Sequence, residues 1–192
     1  MTARTHDAAA ITVLLIVVLL NAPESLRLST LLLAVFANQI GGILPDIDQP
    51  TAPLWRNLPE GHFAGKVFGK MLGGHRFISH SIIGFALFGW LCSLLLHFFH
   101  PVMPHVDTLL VWYAFLIGYA SHLVMDTFTK EGVPWLLPIP VKFGIPPIKA
   151  LRITTGKWVE TCVLLPALII FDIWLCSRHY EHFISLLRHI VA

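Results

Sequence analysis

Residues 108–126 read TLLVWYAFLIGYASHLVMD. Up to Met125 the run carries no Lys, Arg, Asp or Glu. A helix rises 1.5 Å per residue, so about 20 residues cross the roughly 30 Å hydrocarbon core of a bilayer. The stretch is close to that length. It closes on His122 and Asp126, four positions apart. A helix sets such a pair on one face, one turn apart. The residues that read as membrane therefore end in two metal-ligand types.

The whole chain supports the membrane reading. Its 192 residues are 56% hydrophobic and 12% charged, about half the charge of an ordinary soluble domain. The mean hydropathy is +0.73. Four more apolar segments flank the quoted one: Ala8 to Ala22, Leu26 to Leu44, Ser81 to Phe99, and Val159 to Cys176. Open sheets leave unpaired edges in lipid and barrel strands alternate, so the fold class expected is all-α, a polytopic transmembrane bundle of about five helices. The first segment is short, and the second carries Asn38, Gln39, Gly41 and Gly42 near its end, so these two are expected to be tilted, broken or partly inserted. Arg4 before an apolar run resembles a signal peptide. No clear small-residue cleavage site follows, and four further segments explain membrane residence. The three cysteines (Cys92, Cys162, Cys176) lie in apolar segments without CxxC spacing and read as small buried hydrophobes.

Two long stretches, Pro45 to His80 and Asp126 to Trp158, are rich in Pro and Gly and read as loops with short interfacial helices. With no repeat or low-complexity tract, residues 1–192 form one domain. With five spans, the N-terminus and both loops share a side. That side holds Arg4, Arg56, Lys66, Lys70, Arg76, Lys130, Lys142, Lys149, Arg152 and Lys157, ten of the thirteen basic residues. The other side holds Arg27, Arg178 and Arg188. This asymmetry places the N-terminus and both loops in the cytoplasm. A net charge of +2 is too mild to point to nucleic acid, and no nucleic-acid binding is expected.

On that topology His6, Asp46, Asp48, His75, His80, His122 and Asp126 all fall at one membrane face, from four helix ends. Neutral imidazole and carboxylate suit zinc, manganese or iron. The metal ligands expected are His6, Asp46, Asp48, His80, His122 and Asp126. Asp46 and Asp48, one residue apart, can serve two metals, or one metal and the groups that orient its ligands. Ionisable groups at the edge of hydrocarbon are costly and usually functional. A lone HxxxD or DxD is most often structural; the set on one face is the stronger signal. His97, His100 and His105 sit at the opposite face and His179, His182 and His189 in the tail. Their only carboxylate neighbours are Asp107 and Glu181, and no second metal centre is expected there. Glu160 and Asp172 in the fifth segment carry no functional assignment.

At these residues the chain resembles the bacterial inner-membrane, metal-dependent hydrolase family of the YdjM type. The resemblance rests on His6, Leu44-Pro45-Asp46-Ile47-Asp48, Gly74-His75-Arg76, Ser79-His80-Ser81, Gly118-Tyr119 with His122 and Asp126, and Gly132-Val133-Pro134 with the Trp135 to Pro138 stretch. It covers residues 1–150. Phe77 and Ser79 stand where such proteins often carry Gly and Thr. Ser79 keeps a hydroxyl able to cap the third helix. More distantly, the order of ligands is similar to that of zinc-dependent phospholipase C and the P1-type nucleases, which implies zinc and phosphoester hydrolysis at a multi-metal centre.

The function expected is metal-dependent hydrolysis in the bacterial inner membrane. Bound metal would lower the pKa of water toward 7, with Asp46 or Asp48 as general base. His75 would be a ligand or proton donor, and Arg76 would grip an anionic group such as phosphate. A site at the membrane edge suits an amphiphilic, phosphate-containing substrate such as a phospholipid. The alternatives are a transporter or metal permease, expected to keep its site near the midplane, and a non-catalytic scaffold with a closed coordination shell.

Overall fold

A computed structural model of the chain describes residues 1–20, 26–56, 58–73, 76–139, 141–181 and 184. Among these, five helices are long and apolar enough to cross a membrane. In chain order the α-helices are α1 (Ala3–Leu20), α2 (Leu28–Ile43), α3 (Pro53–Arg56), α4 (Gly61–Met71), α5 (Ile82–Phe99), α6 (Thr108–Thr127) and α7 (Leu165–Arg178). The spanning set is α1, α2, α5, α6 and α7. The described residues contain two isolated β-bridges, Thr129 with Ile153 and Val133 with Phe143, and no strand.

α6 is the hub. It packs along α2, α1 and α5, while α7 leans on α1. Burial tells the same story: 44% of the α6 span is inside the protein, against 11% for α5 and for the span that ends in α7. Trp90, Leu95 and Phe98 of α5, and Ile170 and Trp174 of α7, stay exposed and face the surrounding lipid.

The polar and glycine positions of the second segment do not break it. α2 runs unbroken through Gly41 and Gly42, then tightens into a 3-10 turn at Leu44–Asp48, with Pro45 in its first turn where a missing N–H costs nothing. A Cβ on Gly41 would strike the carbonyl of Phe115, and one on Gly118 would strike the carbonyl of Asn38. The two backbones touch there, as small residues permit in membranes. The Asn38 amide donates to the Ala114 carbonyl (3.1 Å), so its polar group is satisfied across the same crossing.

One boundary differs from the sequence reading, and one that agrees has an unexpected form. α1 begins at Ala3, five residues before the apolar run, because Thr5 and His6 are buried in the bundle instead of facing lipid. The fifth span opens with a π turn at Val159–Leu164, just where Pro166 lacks the N–H that regular helix pairing requires.

The loops are as expected built around short helices. Trp55 of α3 donates its ring N–H to the Ile47 carbonyl (2.8 Å), pinning this segment to the Leu44–Asp48 turn. α4 lays Gly61, Gly65 and Gly69 against Trp55 and the Asp48 backbone, where side chains would not fit. Trp135 bridges the other loop: its ring N–H donates to Thr127 (3.0 Å) and its carbonyl accepts from Ile82 N (3.1 Å).

Candidate metal centre

Four segments deliver five side chains to one place. The first turn of α1 brings His6, and the 3-10 turn after α2 brings Asp46. The turn Ile78–His80 before α5 brings His80, and the last turns of α6 bring His122 and Asp126. Two overlapping groups have atoms placed to hold one ion: His6, His122 and Asp126, and Asp46, His80 and His122.

His122 is fully buried, and its Nδ1 lies 2.6 Å from the Gly42 carbonyl. A carbonyl only accepts, so Nδ1 carries the proton and Nε2 turns its lone pair into the cluster. His80 is oriented in the same way by a longer relay. The Ser79 hydroxyl donates to Asp48 Oδ2 (2.5 Å), leaving an oxygen lone pair to accept from His80 Nδ1 at 3.0 Å. Asp48 Oδ2 itself lies 3.4 Å from that nitrogen. Tyr119 holds the turn in place by donating to the Ser79 carbonyl (2.6 Å). Gly118 and Tyr119 thus act together, the first admitting α2 and the second anchoring the turn that bears His80.

The facing atoms are evenly spaced. His80 Nε2 lies 3.6 Å from Asp46 Oδ1 and 3.7 Å from Asp126 Oδ2. His122 Nε2 lies 3.7 Å from Asp46 Oδ1 and 3.9 Å from Asp126 Oδ2. His6 Nε2 lies 3.4 Å from Asp126 Oδ1, and its ring stacks on that of His122 with centroids 3.6 Å apart. Metal–ligand bonds of about 2.0–2.2 Å imply ligand atoms roughly 3.3–3.6 Å apart around a tetrahedral ion. The His6–Asp126 and His80–Asp46 spacings, 3.4 and 3.6 Å, fall in that range, and the other three, 3.7–3.9 Å, are slightly wider. The Nε2 atoms of His6 and His122 are buried with no hydrogen-bond partner among the described residues. Unsatisfied buried nitrogens are rare and need an explanation, and the donor set fits a divalent cation.

Asp126 is also held by charge. Arg76 Nη2 meets Asp126 Oδ2 at 2.5 Å, and the Met1 ammonium pairs with Oδ1. Arg76 Nη1 donates to Thr129 Oγ1 (3.0 Å) and to the Gly132 carbonyl (3.2 Å), and Nε faces Glu131 at 3.5 Å. Arg76 adopts φ +57°, rare for a residue with a side chain, and its backbone N–H donates to Asp48 Oδ2 (2.9 Å).

Three expectations change at this point. Asp48, expected among the ligands, lies behind His80 and accepts from Arg76 N and Ser79, because the 3-10 turn sends alternate carboxylates in different directions. Arg76, expected to grip substrate, spends its guanidinium on Asp126 and the Thr129–Gly132 loop. The hydroxyl that caps α5 belongs to Ser81, which accepts from Gly84 N (3.1 Å), while Ser79 serves Asp48. His75 lies outside the described residues. Of the remote histidines, His105 meets Arg27 at 3.0 Å and Asp107 caps α6; His182 and His189 lie outside the described residues.

Glu160 is the residue that sequence reasoning left without a role. It is fully buried and accepts from Thr2 N (2.5 Å), Thr5 Oγ1 (2.8 Å) and Gly156 N (2.7 Å). It fastens the turn of α1 that bears His6 to the start of the fifth span. The signal was there as a carboxylate in an apolar helix; its distant partners Thr2 and Thr5, 158 and 155 residues away, were not.

A family model described as YdjM inner membrane protein matches residues 1–182, past the fifth helix. The inner membrane protein YdjM of Escherichia coli (strain K12) is 29% identical over 133 residues, 69% of this chain. The match spans 61% of that protein's length, and the same figures hold for YdjM of Shigella flexneri. An uncharacterized protein of Bacillus subtilis (strain 168), YvsG, is 26% identical over 125 residues, 65% of this chain and 67% of its own. No solved structure matches.

Proposed function

The chain belongs to the YdjM inner membrane protein family, and from that premise we propose that it is a membrane-bound, metal-dependent hydrolase acting on phosphoesters at the membrane face that bears Asp46. The observation that carries the reading is the pair of overlapping groups, His6, His122 and Asp126 beside Asp46, His80 and His122, with the Nε2 atoms of His6 and His122 buried and without a hydrogen bond among the described residues.

A bound divalent ion, zinc first and manganese or iron after it, supplies Lewis-acid polarisation of the scissile group and lowers the pKa of water. His80, His122, Asp46 and Asp126 would hold it, with His6 against Asp126. Because the Gly42 carbonyl occupies Nδ1 of His122, that residue has one lone pair to give, and the two overlapping groups compete for it. The expected stoichiometry is therefore one ion per chain. Asp46 is the only member of the set with appreciable exposure, its side chain 17% accessible against 0–1% for His80, His122 and Asp126. That edge is where substrate and water arrive, and Asp46 is the general base within reach of both. Arg76 acts as a positioning residue that holds Asp126. The opening at Asp46 speaks against a closed structural shell. The location at helix ends, with α1, α2, α5 and α6 unbroken, speaks against a midplane transport site.

The test is elemental analysis of the protein purified in mild detergent, beside the double variant His122→Ala, Asp126→Ala, followed by phosphate release from a phosphomonoester lipid. About one ion per parent chain, lost in a folded variant, together with metal-dependent phosphate release, supports the reading. A parent that binds no ion when zinc, manganese and iron are each supplied ends it.

A further inference from the structure

α2 and α5 each pack on α6, and a groove of about 630 Å3 remains between them. Its floor is Val111 and Phe115 of α6; one wall runs from Leu44, in the turn that follows α2, back along α2 to Leu33, and the other from Phe88 to Phe99 on α5. The two ends of each wall are eleven positions apart, about 16 Å at the helical rise of 1.5 Å. The volume falls within the roughly 300–1,000 Å3 of ordinary ligand pockets. Every side chain along it is apolar apart from the Cys92 thiol, which behaves as a small hydrophobe.

The surroundings select the occupant. The groove lies inside the spanning segments, where no bulk water is present to fill it. A second helix is a poor fit. Helices that dock in membranes do so over small residues, as α2 and α6 do at Gly41 and Gly118, whereas this groove is rimmed by Phe36, Leu91, Leu95 and Phe99. A flexible hydrocarbon chain suits such walls. The length of about 16 Å matches the depth of one leaflet, half of the roughly 30 Å core. One end of the groove is Leu44, two residues before Asp46, the open edge of the metal centre.

We infer that the groove binds the hydrocarbon chain of a single membrane lipid, its polar head directed to Asp46 and its tail running toward Leu33 and Phe99. The inference rests on the hydrolase reading for the fate of the head group, but not for the binding of the chain. It makes the substrate class a lipid phosphoester.

The experiment uses the full chain in vesicles of phosphatidylethanolamine and phosphatidylglycerol. Phosphatidic acid is added with a photoreactive diazirine on one acyl chain, placed either near the head or at the terminal carbon. After irradiation, adducts are mapped by mass spectrometry, and bound metal is measured on the same samples. The near-head probe is expected on Ile40, Leu44 and Phe88, and the terminal probe on Leu33, Phe99 and Val111. Cys92→Trp, which fills the groove, should lower groove adducts about tenfold, equivalent to about 1.4 kcal/mol. Ile170→Trp, on the exposed outer face of α7, should leave them unchanged. Adducts spread evenly over the outer faces of α5 and α7, or the two probes in reversed order, overturn the inference. If Cys92→Trp does not fold, the order of the two probes on the parent decides. Metal retained without groove adducts overturns this inference and leaves the hydrolase reading standing. Groove adducts on a chain that binds no metal uphold chain binding and overturn the hydrolase reading.

Discussion

The direction in which an imidazole offers its lone pair depends on what its other nitrogen bonds. For His80 that control passes through Ser79 to Asp48, a carboxylate on the Nδ1 side of the ring. Outer partners of this kind typically change metal affinity about 10–100-fold when removed. Asp48→Asn is therefore predicted to keep the fold and to weaken metal binding by that factor, measured by titration against a competing chelator; unchanged affinity would show that His80 is oriented without it. Arg76 gives a second prediction. Removing one partner of a buried ion pair costs about 3–5 kcal/mol because the other charge is left uncompensated. Arg76→Ala should lower the melting temperature strongly in chelator and much less with metal bound, since a cation then neutralises Asp126. An equal drop in both conditions would mean that Arg76 serves the Thr129–Gly132 loop alone. At this scale the sequence is partly legible. The spacing of His122 and Asp126 is local and reads directly. The division of labour between Asp46 and Asp48 is not, because it depends on which way a single turn faces elements far along the chain.

Among the elements, the α2–α6 crossing sets the centre, because Gly41 and Gly118 bring Gly42 close enough to His122 for its carbonyl to fix the ring. Gly118→Ala places a methyl group against the Asn38 carbonyl. Overpacking of this type costs about 1–3 kcal/mol, and separating the helices would also pull Gly42 from His122. The prediction is a lower melting temperature together with reduced metal content; a variant that melts early but keeps full metal would uncouple the crossing from the site. Glu160 tests the same idea from the other side. Glu160→Gln retains size but weakens the acceptor for Thr2, Thr5 and Gly156. Metal affinity should fall through His6 while the other four ligands stay in place, a partial loss readable in the chelator titration, and full affinity would show that His6 needs no such anchor. The number and rough extent of the helices were legible from apolar run length, since lipid imposes that length on any span. The glycines of α2 were misleading in isolation. They read as breaks until a partner helix with its own glycine at the crossing gives them a reason.

For the molecule as a whole, the open question with the largest consequence is which way the metal centre faces. Arg76 is neutralised within the site by Asp126, so it drops out of the charge asymmetry, leaving nine of the ten basic residues on the site side against three. Lys130, Lys142, Lys149 and Lys157 remain exposed, interleaved with exposed Val141, Ile148, Leu151 and Trp158. A loop with this pattern rests at a lipid surface with its apolar groups in the interface and its cations against anionic head groups. Under the positive-inside rule both observations predict that this face lies in the cytoplasm. The prediction is that an alkaline phosphatase reporter is active when fused after Pro104, in the turn between α5 and α6, and inactive when fused after Pro147; a fluorescent protein that folds only in the cytoplasm should give the reverse pattern. If Pro147 instead reports outside, the charge asymmetry has been overridden by the folded loop. The metal centre would then meet the outer leaflet, and the head groups reaching Asp46 would be those on the periplasmic side. On the proposed reading, the orientation decides which pool of lipid phosphoesters the centre would reach.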